Sequence, residues 1–427
     1  MDEKEELLKK DRERQKKREA LREKREQELK KKVRLFTGIG ILVFLILTAG
    51  ISLGVHNHKK AEAEKKKEKA RQEKLEKKKA QEDLTVEFLA VGDNIAHSPI
   101  YKSGKGEGDV WNYDHIYEPV KKDIEEADLS LVVQETIFVE DRNDISSYPT
   151  FGTPVEIGDA LVNTGFDVIA HATNHVLDKG TKSIEYTLDW WEQAHPETEI
   201  LGIHKSAEEA ENISVIQCKN LKIAMVNYTY SFNGMELPKE KEYLADLFDE
   251  EKARKDIQKA KELADVVMVV MHVGDEYVQE VDEQTRNWTE IFLEEGVDIV
   301  IGSHPHVIRP METLTGEDGH KMLVYYSLGN FVSTQNDLPC LLGGMAKITV
   351  QKDLESGEIR IPNHEYIPLL MYYDRENPKA TVYKLEDYPA DLVEKHSVYK
   401  KNPSEFSLEY YQNLFKKIEE QGNKDAI

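Results

Sequence analysis

Residues 301–310 read IGSHPHVIRP, two imidazoles two positions apart where an apolar run ends. In an extended segment, residues i and i+2 project from the same side. Pro305 biases His304 toward extended backbone and offers no N–H to a ladder, as suits a strand that is finishing. Such a pair either packs in a loop or presents two nitrogens to a metal ion. Taken alone, the tripeptide leaves both readings open.

Other apolar runs end in similar residues. Asp93 follows FLAVG, Glu135 follows LVVQ, Asn174 and His175 follow VIAHAT, and His272 follows VVMVVM. Singly, each has a plainer reading: Asp93 as a cap or turn residue, Glu135 as the partner of an arginine, Asn174 as the brace of a turn. Together they put ligand-type side chains at the carboxyl ends of successive strands, where layered α/β folds build their sites. Three imidazoles, two carboxylates and an amide oxygen form a set without thiolates that suits manganese, iron or zinc. Six candidates exceed one tetrahedral zinc, which points to two divalent ions sharing a carboxylate.

The elements that must position these residues follow from the pattern around them. Short runs such as DVVMVVMHVGDE and VDIVIGSHPH are nearly continuous in Val, Ile and Met, the signature of strands buried on both faces. Longer amphipathic stretches, among them DEEKARKDIQKAKELA and DEQTRNWTEIFLEEG, read as the intervening helices. The expected class is an α/β layered sandwich.

Six blocks, FLAVGDNIAHSPIY, LVVQETIF, AHATNHVLDKG, MHVGDEY, GSHPHVIRPME and YSLGNFV, occur in the order and approximate spacing of the CapA/PgsA family. That family is associated with bacterial poly-γ-glutamate capsule synthesis, and the chain resembles it from about residue 86 to 370. The family looks like a branch of the calcineurin-like metallophosphoesterases. The resemblance therefore implies a four-layer αββα sandwich with a dinuclear metal centre. It implies that Asp93 and His306 hold one ion and Asn174, His272 and His304 the other, with Glu135 bridging and His175 as the proton donor. Asp178, Glu276, Tyr277 and Asn330 would brace the ligands or line the cleft. Three departures stand out. Ile95 occupies the place where phosphoesterases of this fold carry the histidine of Asp-x-His, and His97 is either a substitute at a different spacing or a satisfied surface or core histidine. Val133 stands where the family commonly has Asn. Arg309 follows Ile308 where Gln is common, and its guanidinium either forks onto a carboxylate or phosphate at the site or makes a salt bridge.

Charge and composition narrow the function classes. The 427 residues hold 58 Lys and Arg against 81 Asp and Glu, a net charge of −23. Basic residues crowd the flanks, so residues 80–427 carry 32 Lys and Arg against 66 Asp and Glu. That excludes a nucleic-acid partner, whose phosphates call for clustered cations. Cys218 and Cys340 make no disulfide framework and read as buried free thiols, with a single bridge as the alternative in an exported domain.

Residues 35–55, LFTGIGILVFLILTAGISLGV, contain no charge and would rise roughly 31 Å as a helix, enough to span a hydrocarbon core. An uncleaved anchor is favoured over a signal peptide, because the run is long and lies behind a charged segment. KKKVR at its amino end places the N-terminus in the cytoplasm and the main domain outside. The expected organisation is a charged cytoplasmic segment over 1–34, a transmembrane helix over 35–55 and a Lys/Glu-rich stalk over 56–83. A CapA-like domain follows over 84–375, then a C-terminal extension over 376–427.

The resulting expectation is a membrane-anchored extracytoplasmic protein of capsule or poly-γ-glutamate biosynthesis or export. Its chemistry would be that of a dinuclear-metal hydrolase or transferase using metal-activated water. Its partners would be the membrane, subunits of a capsule-polymer synthase and an anionic polymer. A non-catalytic scaffold of such a synthase and a cell-wall polymer phosphoesterase are the alternatives.

Overall fold

The computed structural model describes residues 2–108 and 110–422. Met1 and residues 423–427, the ends of the expected cytoplasmic segment and C-terminal extension, lie outside the described residues. The chain divides into two compact units, residues 1–79 and 80–427.

The first unit belongs to one long helix, Asp2–Glu82, which takes in the expected charged segment, apolar span and stalk without a break. Ala, Lys, Glu, Leu and Arg are strong helix formers, and the sequence from Asp2 to Glu82 holds no proline. Leu35, Phe36, Ile41, Phe44 and Ile46 are exposed along its apolar stretch.

The second unit is built from fourteen strands: β1 Thr85–Asn94, β2 Leu129–Gln134, β3 Val168–Ala170, β4 Glu199–Leu201, β5 Ser214–Cys218, β6 Leu221–Thr229, β7 Val266–His272, β8 Ile299–Ser303, β9 Met311–Thr315, β10 Lys321–Tyr325, β11 Asn330–Val332, β12 Leu342–Lys352, β13 Ile359–Asp374 and β14 Lys379–Lys384. One sheet runs β14-β13-β12-β1-β2-β3-β4 with β11 on β1, and the other runs β5-β6-β7-β8-β10-β9. Strands β1, β2, β3 and β4 are mutually parallel, as are β6, β7, β8 and β10.

The period-2 alternation of β6 and β7 shows how the layers form. Ile223, Met225, Met268 and Val270 face the core shared by the two sheets, whereas Ala224, Val226, Val267, Val269 and Met271 face a second core with the helices Glu250–Leu263 and Glu283–Glu295. On the other sheet, Ile116, Val120 and Ile124 of the helix Asp114–Glu125 and Ile157 and Leu161 of the helix Glu156–Thr164 supply the outer layer. The arrangement is the αββα sandwich that the resemblance implied.

The sandwich continues past residue 375. Strand β14 pairs antiparallel with β13, so the boundary expected at 375 falls inside a hairpin. Tyr411 and Ile418 of the terminal helix Leu408–Gly422 are buried in the main core. In sequence the stretch reads as an extension, because the core partners of its scattered aromatics lie far away. Cys218 and Cys340 are buried and unpaired.

Candidate metal centre

The carboxyl ends of β1, β2, β3, β7 and β8 bring the sequence-selected residues to one place. Asp93 is the last residue but one of β1, and Gly92 before it allows the approach: a Cβ there would lie 1.9 Å from the Gly329 carbonyl oxygen. That closeness pairs Asp93 with Asn330 of β11. Glu135 follows β2, Asn174 and His175 lie in the turn after β3, His272 ends β7, and His304 and His306 follow β8. Asp93, Glu135, Asn174, His272, His304 and His306 are all at most 3 % exposed.

The geometry of the histidine pair departs from the extended segment expected. His304 has φ 95° and His306 φ 59°, both in the left-handed region that non-glycine residues seldom occupy. For His304 the physical reason is a tertiary contact: Asp93 Oδ2 accepts its backbone N–H at 3.0 Å, a tether that overrides the preference set by Pro305. Both rings still face one site, with centroids 5.9 Å apart.

The carboxylate-to-imidazole separations in the centre exceed hydrogen-bond length, as ligands gathered around a small cation do. Asp93 Oδ2 lies 3.6 Å from His306 Nδ1, and Glu135 Oε1 lies 3.8 Å from His306 Nε2. Asn174 Oδ1 and His272 Nε2 stand 2.9 Å apart, and the His272 and His304 rings are 4.8 Å apart. Asp93 Oδ1, both oxygens of Glu135 and His304 Nδ1 are buried with no hydrogen-bond partner. Buried carboxylate oxygens are costly to leave unpaired, so this donor set fits a divalent cation. Two groups could hold one: Asp93, Glu135 and His306, and Glu276, His304 and His306.

The surrounding electrostatics follow from burial and mutual charge. Burial pushes the Glu135 carboxyl well above its usual range, and burial holds the His272 and His304 imidazoles well below theirs. Burial would lower His306 too, but the Glu135 and Asp93 carboxylates reverse that and raise it to about 9.

A further ring of side chains fixes these groups. Asp178 accepts the Nδ1–H of His175 at 2.7 Å and the backbone N–H of Phe151 at 2.6 Å, which turns His175 Nε2 toward Glu135, 3.8 Å away. Asn330 Oδ1 lies 3.1 Å from His306 Nδ1, and its amide donates to the Cys340 carbonyl at 2.9 Å. Two residues that the sequence reading missed also contribute. Ser303 Oγ sits 2.8 Å from His272 Nδ1, and Asn233 Oδ1 accepts from Asn174 Nδ2 at 3.2 Å, leaving Asn174 Oδ1 toward His272. Ser303 carried a signal, as the strand-end residue next to the histidine pair. Asn233 carried only that of a turn residue in SFNG.

The remaining candidates divide between cleft and interior. A cleft of about 460 Å³ is lined by His97, Glu135, His175, Asp178, Glu276, Tyr277 and His306, with Ile95 and Phe151 in its wall. His97 does not join the ligand groups; its Nδ1 accepts the Thr334 N–H at 3.3 Å, its ring packs edge-on to Phe151, and burial holds it down at about 3. Of the two readings of Arg309, the structure takes the salt bridge. The side chain is 0 % exposed, its Nη1 meets Asp282 Oδ2 at 2.7 Å, and it does not line the cleft.

Comparison with known proteins agrees with these blocks. Residues 87–335 match the family model described as "Bacterial capsule synthesis protein PGA_cap". The chain is 32 % identical over 177 residues to "PGA biosynthesis protein CapA" of Bacillus subtilis, a match covering 41 % of this chain and 44 % of that protein. It is 26 % identical over 180 residues to "Capsule biosynthesis protein CapA" of Bacillus anthracis, covering 41 % of this chain and 42 % of that protein. The match thus spans less than half the length of either relative.

Among solved structures, a putative 5'-nucleotidase from Staphylococcus aureus aligns at 16 % identity and TM-score 0.42, over 66 % of this chain and 54 % of that one. The calcineurin-like phosphoesterase YfkN from Bacillus subtilis aligns at 14 % and 0.38, over 78 % and 99 %. At these scores the superpositions transfer no residue role. The six blocks, and a family match that covers more than half of the sequence, place this chain in the PGA_cap family of bacterial capsule synthesis proteins.

Proposed function

We propose that this chain is a membrane-anchored CapA-like protein of capsule or poly-γ-glutamate biosynthesis or export, and that its outer domain is a dinuclear-metal hydrolase or transferase. The observation that carries this reading is the set of buried, unpartnered ligand atoms on Asp93, Glu135 and His304 beside an oriented His175–Asp178 pair. A carboxylate kept buried without partners lowers stability, and a site that binds a cation explains why it is kept.

In this reading Asp93 and His306 would hold one ion, Asn174, His272 and His304 would hold the other, and Glu135 would be shared. Two divalent cations, manganese, iron or zinc, supply Lewis acidity and make water a stronger nucleophile at neutral pH. His175 gives the proton of its Nε2 to the departing group, and the Asp178 carboxylate steadies the charged ring and fixes its orientation. Ser303 and Asn330 hold His272 and His306 in their ligating orientations. No lysine or arginine lines the cleft among the described residues, while Glu135, Asp178 and Glu276 do, so an anionic substrate depends on the cations for its hold. The exposed apolar helix surface between residues 35 and 55 is the membrane anchor, with the N-terminus in the cytoplasm and the sandwich outside.

The test is turnover by the full chain in mild detergent with manganese, on a phosphodiester and on a γ-glutamyl peptide. Turnover of either substrate, lost in His175→Ala, supports the enzyme. Bound metal without turnover of either substrate overturns it in favour of a scaffold, the reading that Ile95 in place of a ligating histidine supports.

A further inference from the structure

Ile95 leaves the first ion one nitrogen short, and His97 does not make up the loss, since its Nδ1 is engaged by the Thr334 backbone. A carboxylate outside the expected ligand set stands beside the histidine pair. A carboxylate oxygen of Glu276 and ring nitrogens of His304 and His306 all lie within 4.8 Å of one another, and His304 Nδ1 is buried without a partner.

Glu276 itself is exposed, but the backbone that carries it is pinned on both sides. Arg309 donates from Nη2 to the Asp275 carbonyl and from Nε to the Val278 carbonyl, each at 3.0 Å, while its Nη1 binds Asp282. Tyr277 donates its N–H to the Pro305 carbonyl at 2.8 Å, which ties the loop to the turn holding both histidines. Tyr277 has φ 66°, and Gly274 has φ 124° at a spot where a Cβ would lie 2.6 Å from Arg309 Nη1. A fully buried arginine and a strained non-glycine residue are an unusual outlay for a loop that only covers a cleft.

We propose that Glu276 is a metal ligand beside His304 and His306, and that Arg309 is the positioning residue that delivers it. Charge supports the assignment. The carboxylates of Asp93 and Glu135 offset only half the charge of two divalent ions, and a third brings the centre near neutrality while leaving it attractive to an anion. The inference rests on the metal reading above.

Mn²⁺ titration of the full chain in detergent, followed by calorimetry and electron paramagnetic resonance, tests it. Glu276→Gln should weaken one of two sites at least about tenfold and alter the spectrum of the bound ion, while the melting temperature of the metal-free protein is unchanged. Arg309→Lys, which keeps the charge but loses the fork onto both carbonyls, should weaken the same site. Two sites of unaltered affinity in Glu276→Gln would overturn the inference and leave the metal reading standing. A wild-type protein that binds no Mn²⁺ would overturn the metal reading beneath it.

Discussion

Asp178 Oδ2 holds two donors at once, the His175 Nδ1–H at 2.7 Å and the Phe151 backbone N–H at 2.6 Å. One carboxylate thus sets both the aim of the His175 ring, the proposed proton donor, and the wall of the cleft. Asp178→Asn keeps an oxygen for Phe151 but loses the charge that stabilises imidazolium. Turnover should fall roughly 10–100-fold, with little change in KM or in melting temperature. Steady-state kinetics on the better of the two substrates check this.

The Arg309 anchor has a pH signature. Burial would raise the Asp282 carboxyl, but the Thr285 N–H, the Arg309 guanidinium and the Asp275 N–H bring it down to about 2. A depressed folded value means that the stabilisation is present above the unfolded value, ~3.9, and is lost as pH falls through the folded one. Melting temperature should therefore drop steeply between about pH 4 and pH 2. Asp282→Asn should flatten that portion of the profile. Replacing Arg309 by methionine strands Asp282 and two carbonyls, and should cost about 3–5 kcal/mol in urea unfolding.

Glu135 is expected to trade stability for binding. Both of its oxygens are buried without partners. In the metal-free state, Glu135→Gln removes the penalty of a buried charge, so the melting temperature should rise by about 2–4 °C for each kcal/mol relieved. The further rise that manganese gives the wild type should be absent from the variant. Thermal scans with and without Mn²⁺ check both arms.

Protease added to intact cells should remove the sandwich and leave a fragment containing residues 35–55. Survival of the sandwich there, with digestion after lysis, would reverse the topology.

Much of the centre was legible because ligand-type side chains stand out at the ends of apolar runs, and Asp93, Glu135, Asn174, His272, His304 and His306 do meet. What escaped depends on contacts distant in sequence. The backbone of His304 obeys Asp93, 211 residues away, rather than its neighbour Pro305. Asn233 reaches Asn174 across 59 residues from an ordinary-looking turn. The sequence around Arg309 does not separate a substrate clamp from a salt bridge, because Asp282 and the carbonyls of Asp275 and Val278 surround it only in the fold. Strand β14 and the terminal helix look like an extension in sequence because a lone short strand shows no sign of the sheet edge that it will join.

The central claim is that the strand ends form a centre for two divalent ions. The most direct measurement is the metal content of the full chain, purified in detergent from metal-supplemented cells, beside that of His272→Ala. The account predicts about two ions per wild-type chain and about one fewer in the variant, with unchanged circular dichroism. A folded wild-type protein that carries no divalent metal and takes none up on titration would contradict it.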